Sequence, residues 1–235
     1  MQRSHPIPNF VRRLRAATAG AVLVEFSIFA GFLLTLTFGM VEFSLALFQY
    51  NSASKAAELG ARLAAVSNPL WEGMRDWTGL GTGVNILNPF PAFDIICSGS
   101  TNQCTGTRTC NGASDCPATG AMSTAAQNAL KVLVYGRDAS GDLTPTCGGM
   151  GADLYPGMCD IFSRVTPANV VIEYHNSGLG FAGRPGGPVP TIVLRLQNLQ
   201  FQFVALDDLV GIGPVNMPDF KVTITGEDMN LAAPL

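Results

Sequence analysis

From Ala19 to Tyr50 almost every position is apolar or small, and only Glu25 and Glu42 carry charge. Phe26 to Val41 is uncharged, with Ser27, Thr35 and Thr37 its polar members. With its flanks, the run exceeds the roughly 20 residues that cross a ~30 Å hydrocarbon core. It continues as NSASKAAELGARLAAVS, where Ala57, Ala61, Ala64 and Ala65 recur at i, i+4, i+7 and i+8. That spacing keeps one apolar face on a helix that has left the lipid. The pattern predicts one helix over Gly20–Ala65, its first two-thirds in lipid and its last third outside.

Asn68-Pro69 ends it, because proline disfavours helical geometry in the residue before it. Leu70 to Trp77 reads as a short amphipathic turn, with Trp71 and Trp77 as anchors in the core or, second, at the membrane surface. Gly79 to Gly120 is rich in Gly, Thr, Asn, Ser and Pro and has no helical period, which predicts an irregular surface excursion. Ser123 to Tyr135 is a second helix: Ser123 caps it, Ala126, Leu130, Leu133 and Val134 form its apolar stripe, and Gly136 stops it. From Ala168 the period becomes two. Val170, Ile172 and Tyr174 alternate with Val171, Glu173 and His175. Ile192, Leu194 and Leu196 share a face, but Leu199, Phe201 and Phe203 take the opposite parity, so a bulge or a change of face is expected near Gln197-Asn198. Phe220, Val222 and Ile224 make the last strand, and Ser177 to Pro190 a long hairpin loop. The plan is α+β: a long N-terminal helix, then an antiparallel sheet packed on its emergent part.

Charge gives the helix a direction. Arg3, Arg12, Arg13 and Arg15 precede it with no acid among them, whereas Lys55, Arg62 and Arg75 beyond it are offset by Glu58, Glu72 and Asp76. The positive-inside rule then places the N-terminus in the cytoplasm and residues 67–235 across the membrane. A cleaved secretory signal fits poorly, since the run is too long and no A-x-A-like site follows it. A plain signal anchor fits the length but leaves Glu25 unexplained, and a carboxylate inside a membrane segment usually marks function. Cleavage after Gly20 accounts for both: it removes the basic leader and puts a new ammonium on Ala21, one helical turn from Glu25.

Gly20 followed by Ala21-Val22-Leu23-Val24-Glu25-Phe26 resembles the processing site of type IV pilin-like proteins. Gly39-Met40-Val41-Glu42-Phe43, Tyr50-Asn51 and Ala56-Ala57-Glu58-Leu59-Gly60-Ala61-Arg62 narrow the likeness to the TadE-like minor pilins of tight-adherence (Flp-type) pili. It covers about residues 12 to 65, with a weaker echo at KVTITGED. The family often has a proline early in the run, where this chain has Ala30-Gly31. The resemblance implies a basic leader (1–20), a pilin-like transmembrane helix (21–66) and an extracytoplasmic α+β domain (67–235). It also implies processing at Gly20 and Ala21, and assembly roles for Glu25, Phe26 and Glu42. The implied partners are a prepilin peptidase, other pilins, the inner-membrane assembly platform and lipid, with no cofactor.

Composition bears on what remains. The whole chain carries −3. Removing the leader turns 14 cations against 17 acids into 10 against 17, a net −7 over 215 residues, with no electrostatic footprint for nucleic acid. Cys97, Cys104, Cys110, Cys116, Cys147 and Cys159 all lie on the outer side of the expected topology. Their even number and the absence of a C-x2-C pair point to disulfides rather than zinc. Fifteen connectivities are possible, and neighbour pairing (97–104, 110–116, 147–159) closes the shortest loops. Asp138 to Asp142 superficially resembles a calcium loop but lacks the remaining ligands and the terminal Glu, and reads as a turn. An enzyme or a binding module on an unprocessed signal anchor is the rival class. Against an enzyme, His5 lies in the leader, His175 stands alone beside Glu173 at a strand end, and no nucleophile elbow, H-E-x-x-H helix or P-loop is present.

Overall fold

The computed structural model describes residues 18–81, 84–110, 114–138, 140–143, 146–148, 155–203, 211, 213–226 and 229. The expected leader arginines therefore lie outside the described residues. Residues 1–47 with 202–213 make one compact unit, and 48–201 with 214–235 a second.

One uninterrupted helix, α1 (Thr18–Val66), fills the predicted stretch. At 1.5 Å per residue its 49 residues run about 74 Å. Within the first unit, large side chains such as Val22, Phe26, Phe29, Phe32 and Leu34 are exposed. The hydroxyls there turn inward: Ser27 Oγ donates to Leu23 O, Thr35 Oγ1 to Gly31 O, Thr37 Oγ1 to Leu33 O and Ser44 Oγ to Met40 O, at 2.7–2.9 Å. The helix thus satisfies these hydroxyls itself, as a lipid-facing segment requires.

The second unit contains the rest of α1 and the sheet. Ala53, Ala56, Ala57, Ala61, Ala64 and Ala65 are all buried, so the predicted face is the buried one. Small residues are used because the helix backbone comes close to the sheet. A Cβ added at Gly60 would overlap Met158 Sδ and stand 3.0 Å from Leu194 Cδ1.

The main sheet runs in the order β3-β2-β1-β5-β6-β9, with β4 also pairing β2. Its strands are β1 (Phe93–Ser98), β2 (Gln103–Cys110), β3 (Ser114–Pro117), β4 (Gly120–Ala121), β5 (Val170–Asn176), β6 (Pro190–Leu196) and β9 (Phe220–Thr225). All its pairings are antiparallel. The first four strands correct the expectation of an irregular excursion over Gly79–Gly120, because half the sheet is built there. β2 hides the fact by what it turns inward. Cys104 faces Cys97, Gly106 faces Ile95 and Arg108 faces Phe93, so no hydrophobic alternation shows in QCTGTRTC. Gly106 is required: its φ is 159° and a Cβ would strike Asp94 O. Arg108 lays its guanidinium 5.2 Å from the Trp71 ring and 5.5 Å from the Trp77 ring. Trp77 in turn meets Phe90 and Phe93 edge-on.

The parity switch is a change of sheet. β6 ends at Leu196, Asn198 takes a positive φ of 58°, and β7 (Gln200–Phe201) leaves to pair with β8 (Val215–Asn216) in a separate ribbon. Helix α2 (Thr124–Tyr135) forms as expected. The Ala126 N–H donates to Ser123 Oγ, and Gly136 closes the helix with φ 77°. Its buried residues are Ala126, Leu130, Leu133 and Val134. A one-turn helix, α3 (Met158–Ile161), completes the inner layer. The sheet has a Tyr50 end, where the Tyr50 and Phe220 rings lie 4.9 Å apart. At its other, Leu70 end, Tyr174 Oη accepts from the Leu70 N–H at 3.0 Å.

Candidate functional site

The residues singled out for processing and assembly all lie on α1. Gly20, Ala21, Glu25 and Phe26 are exposed, whereas Glu42 is only 2% exposed. Ala21 and Glu25 stand one turn apart, about 6 Å along the axis. Among the described residues, packing gives no reason for the glycines of this stretch. A Cβ built at Gly20, Gly31 or Gly39 meets nothing within 4 Å, and none of the three has a positive φ. Each costs roughly 1 kcal/mol relative to alanine in a helix interior.

Two of the expected cysteine pairs are in place. Cys97 is joined to Cys104 across directly opposed positions of β1 and β2, with Cα atoms 4.0 Å apart. Cys147 is joined to Cys159 of α3, with Cα atoms 5.6 Å apart. The first therefore joins neighbouring strands across the short hairpin it closes. The side chains of Cys110 and Cys116 lie outside what is described.

His175 is less solitary than its strand-end position implied. Its Nδ1 lies 3.4 Å from Asp94 on β1 and its Nε2 3.2 Å from Glu173 two residues earlier. Glu173 is buried on the sheet's outer face and also carries the guanidinium of Arg195 from β6. Cross-strand pairing brings the four together, a juxtaposition invisible along the sequence. Because both ring nitrogens face carboxylates, neither is offered to a hydroxyl or thiol nucleophile. Asp138 is also accounted for: its Oδ1 accepts from the backbone N–H groups of Ser140 and Asp142 at 2.8 and 2.9 Å, closing a turn. A shallow cavity of about 330 Å³ between the end of α1 and α2 is lined by Leu63, Ala129, Val132, Leu133 and Arg137 among others. Among the described residues its lining contains no acid or histidine.

Among the described residues, α1 is the one helix long and apolar enough to cross a membrane, and it fits a single-pass anchor. The family model described as TadE-like protein matches residues 20–62. Neither a curated protein nor a solved structure matches the chain.

Proposed function

From the TadE-like match over residues 20–62, which supports a component associated with a tight-adherence pilus, we propose that this chain is a minor pilin-like structural subunit of that pilus. It is made as a membrane-anchored precursor with the N-terminus in the cytoplasm of the bacterial inner membrane and the sheet domain in the periplasm. A prepilin peptidase cuts after Gly20. The released helix then passes from lipid into contact with other pilin helices, through the assembly platform, and the subunit contributes to surface adherence.

The observation that carries the proposal is the TadE-like match over an apolar helix whose large side chains are exposed and whose Gly20, Gly31 and Gly39 meet no neighbour among the described residues. At Gly20, the missing side chain lets the peptidase's catalytic carboxylates approach the backbone. At Gly31 and Gly39 it lets a neighbouring helix approach closely in lipid. Glu25 then pairs with the ammonium freed on Ala21, on its own or a neighbouring chain. Such a charge-assisted contact is much stronger in a low-dielectric site than in water.

Mass spectrometry of the mature N-terminus is the direct test, with Ala21 expected as the first residue. A mature chain that still begins upstream of Ala21 would refute the proposal. Gly20→Val should leave the precursor uncut. Glu25→Ala should give a processed subunit that fails to enter pili, and normal incorporation of that variant would remove Glu25 from the mechanism.

A further inference from the structure

Two halves of the main sheet meet where β1 pairs with β5. β1 to β4 come from residues 93–121, whereas β5, β6 and β9 come from residues 170–225, and the strand order sets β1 against β5. One end of this seam is held by the backbone, with the Gly99 N–H donating to Val170 O at 2.9 Å. At the other end Asp94 stands directly opposite His175, and the charged cluster lies there.

A neutral imidazole cannot serve both of its neighbours in that cluster. It has one N–H and one lone pair, whereas an imidazolium has two N–H groups, and an ionised carboxylate only accepts. Nδ1 lies 3.4 Å from Asp94 Oδ1 and Nε2 lies 3.2 Å from Glu173 Oε2. In either neutral tautomer one lone pair is therefore turned toward a carboxylate oxygen. The charge count agrees. Asp94 and Glu173 bring two negative charges and Arg195 one positive, so the group is balanced with His175 protonated and carries −1 without that proton. Among the described residues, the strands beside β5 bring Asp94 of β1 and Arg195 of β6 to this face. Lys221 of β9 stands opposite Arg195, one strand further away, and is exposed. Glu173 is buried, where an unbalanced charge is costly. His175 is 35% exposed, so solvent protons reach it.

We infer that His175 is a proton-operated clasp on the seam between β1 and β5. Charged, it donates to Asp94 on one strand and Glu173 on the other, and the two charge-assisted bonds tie the strands together. Neutral, it holds one carboxylate and repels the other. Histidine is the side chain that ordinarily changes charge between about pH 5 and 8. The clasp's contribution is thus complete in mild acid and is lost as pH rises and the proton leaves. The seam loosens from its Asp94 end, because the Gly99–Val170 bond at the far end involves no titratable group. The clasp is a property of the sheet alone. It does not rest on the pilus reading, and its test is indifferent to processing at Gly20.

The test compares the full chain in detergent at about pH 5.5 and about pH 8, which bracket the ordinary histidine range. Denaturant unfolding gives the ratio of folded to unfolded chains at each pH. From acid to base, this ratio should fall about fivefold more for the natural chain than for His175→Gln, the upper end for partly exposed pairs. Taking the difference between the two chains cancels the titration of groups outside the cluster. An equal change in both, or a larger loss in the variant, would overturn the inference. Asp94→Asn should shrink the pH-dependent loss and leave the part carried by Glu173; a loss as large as the natural chain's would overturn it too. If His175→Gln does not fold, Asp94→Asn against the natural chain decides alone. Amide exchange, corrected for its intrinsic dependence on pH, should quicken at residues 94–96 before it does at Gly99. The reverse order would also overturn the clasp.

Discussion

Gly60→Ala sets two opposing effects against each other inside α1. Alanine favours a helix over glycine by about 1 kcal/mol. The new Cβ, however, would overlap Met158 Sδ and stand 2.9 Å from Met158 Cγ and 3.0 Å from Leu194 Cδ1. Met158 and Leu194 are both fully buried, and α3 is held at Cys159 by its bond to Cys147, so neither side retreats freely. Overpacking of this kind costs about 1–3 kcal/mol. The clash should win, leaving Gly60→Ala less stable by about 1 kcal/mol. Gly60→Leu should be worse, since it keeps the same Cβ contacts and adds three more carbons at a buried position. Guanidinium unfolding of the full chain in detergent, followed by the fluorescence of Trp71 and Trp77, reads the domain directly. Met158→Ala provides the internal control: combined with Gly60→Ala, it should cost less than the sum of the two changes. A higher midpoint for Gly60→Ala, or strict additivity in the double variant, would refute the close helix–sheet approach.

Tyr174 predicts an alkaline transition. Burial pushes its phenol above the ordinary value, only partly offset by the bond it accepts from Leu70. The folded-state pKa is raised, so its stabilising contribution is complete below the unfolded value of about 10 and is lost as pH rises beyond it. Phenolate absorbance should therefore account for all four tyrosines only when the domain unfolds; full ionisation in a folded chain would contradict this. The Cys147–Cys159 bond closes a loop of twelve residues. Replacing both by alanine should cost about 3 kcal/mol on the chain-entropy account. A loss below about 1 kcal/mol in the same denaturant assay would show that the link constrains little. Tyr174→Phe should cost about 1–3 kcal/mol by stranding the Leu70 N–H, which a thermal melt at neutral pH would detect.

The helices and the later strands were legible because burial follows a period there. Ala57, Ala61, Ala64 and Ala65 mark one face of α1, and Val170, Ile172 and Tyr174 one face of β5. β2 was not legible, for a physical reason. Its inward positions hold a cysteine, a glycine and an arginine, and each serves the sheet by something other than aliphatic bulk: a covalent link, close backbone approach, and a guanidinium over two indoles. The charged cluster was hidden differently. Glu173 and His175 are two residues apart, but Asp94 and Arg195 reach them only through strand pairing. The turn at Asn198 was visible as a parity change, although the second ribbon it leads to was not. Around Gly20, the sequence supplied the motif. The structure adds that the glycine's openness is unclaimed by any neighbour in the described residues.

The hydroxyls of α1 have a consequence for how such a subunit could be moved. Ser27, Thr35, Thr37 and Ser44 are each committed to a carbonyl one turn back, so none presents an open hydrogen-bonding demand to its surroundings. On the pilin reading, passing from acyl chains to the side of another helix exchanges one apolar solvent for another as far as these hydroxyls are concerned. The free-energy difference between the two environments reduces to shape: how closely a neighbour fits at Gly31 and Gly39, and whether Glu25 finds a counter-charge. A transfer balanced that finely can be driven in either direction by a modest bias. The same segment could serve extrusion and retraction without being rebuilt.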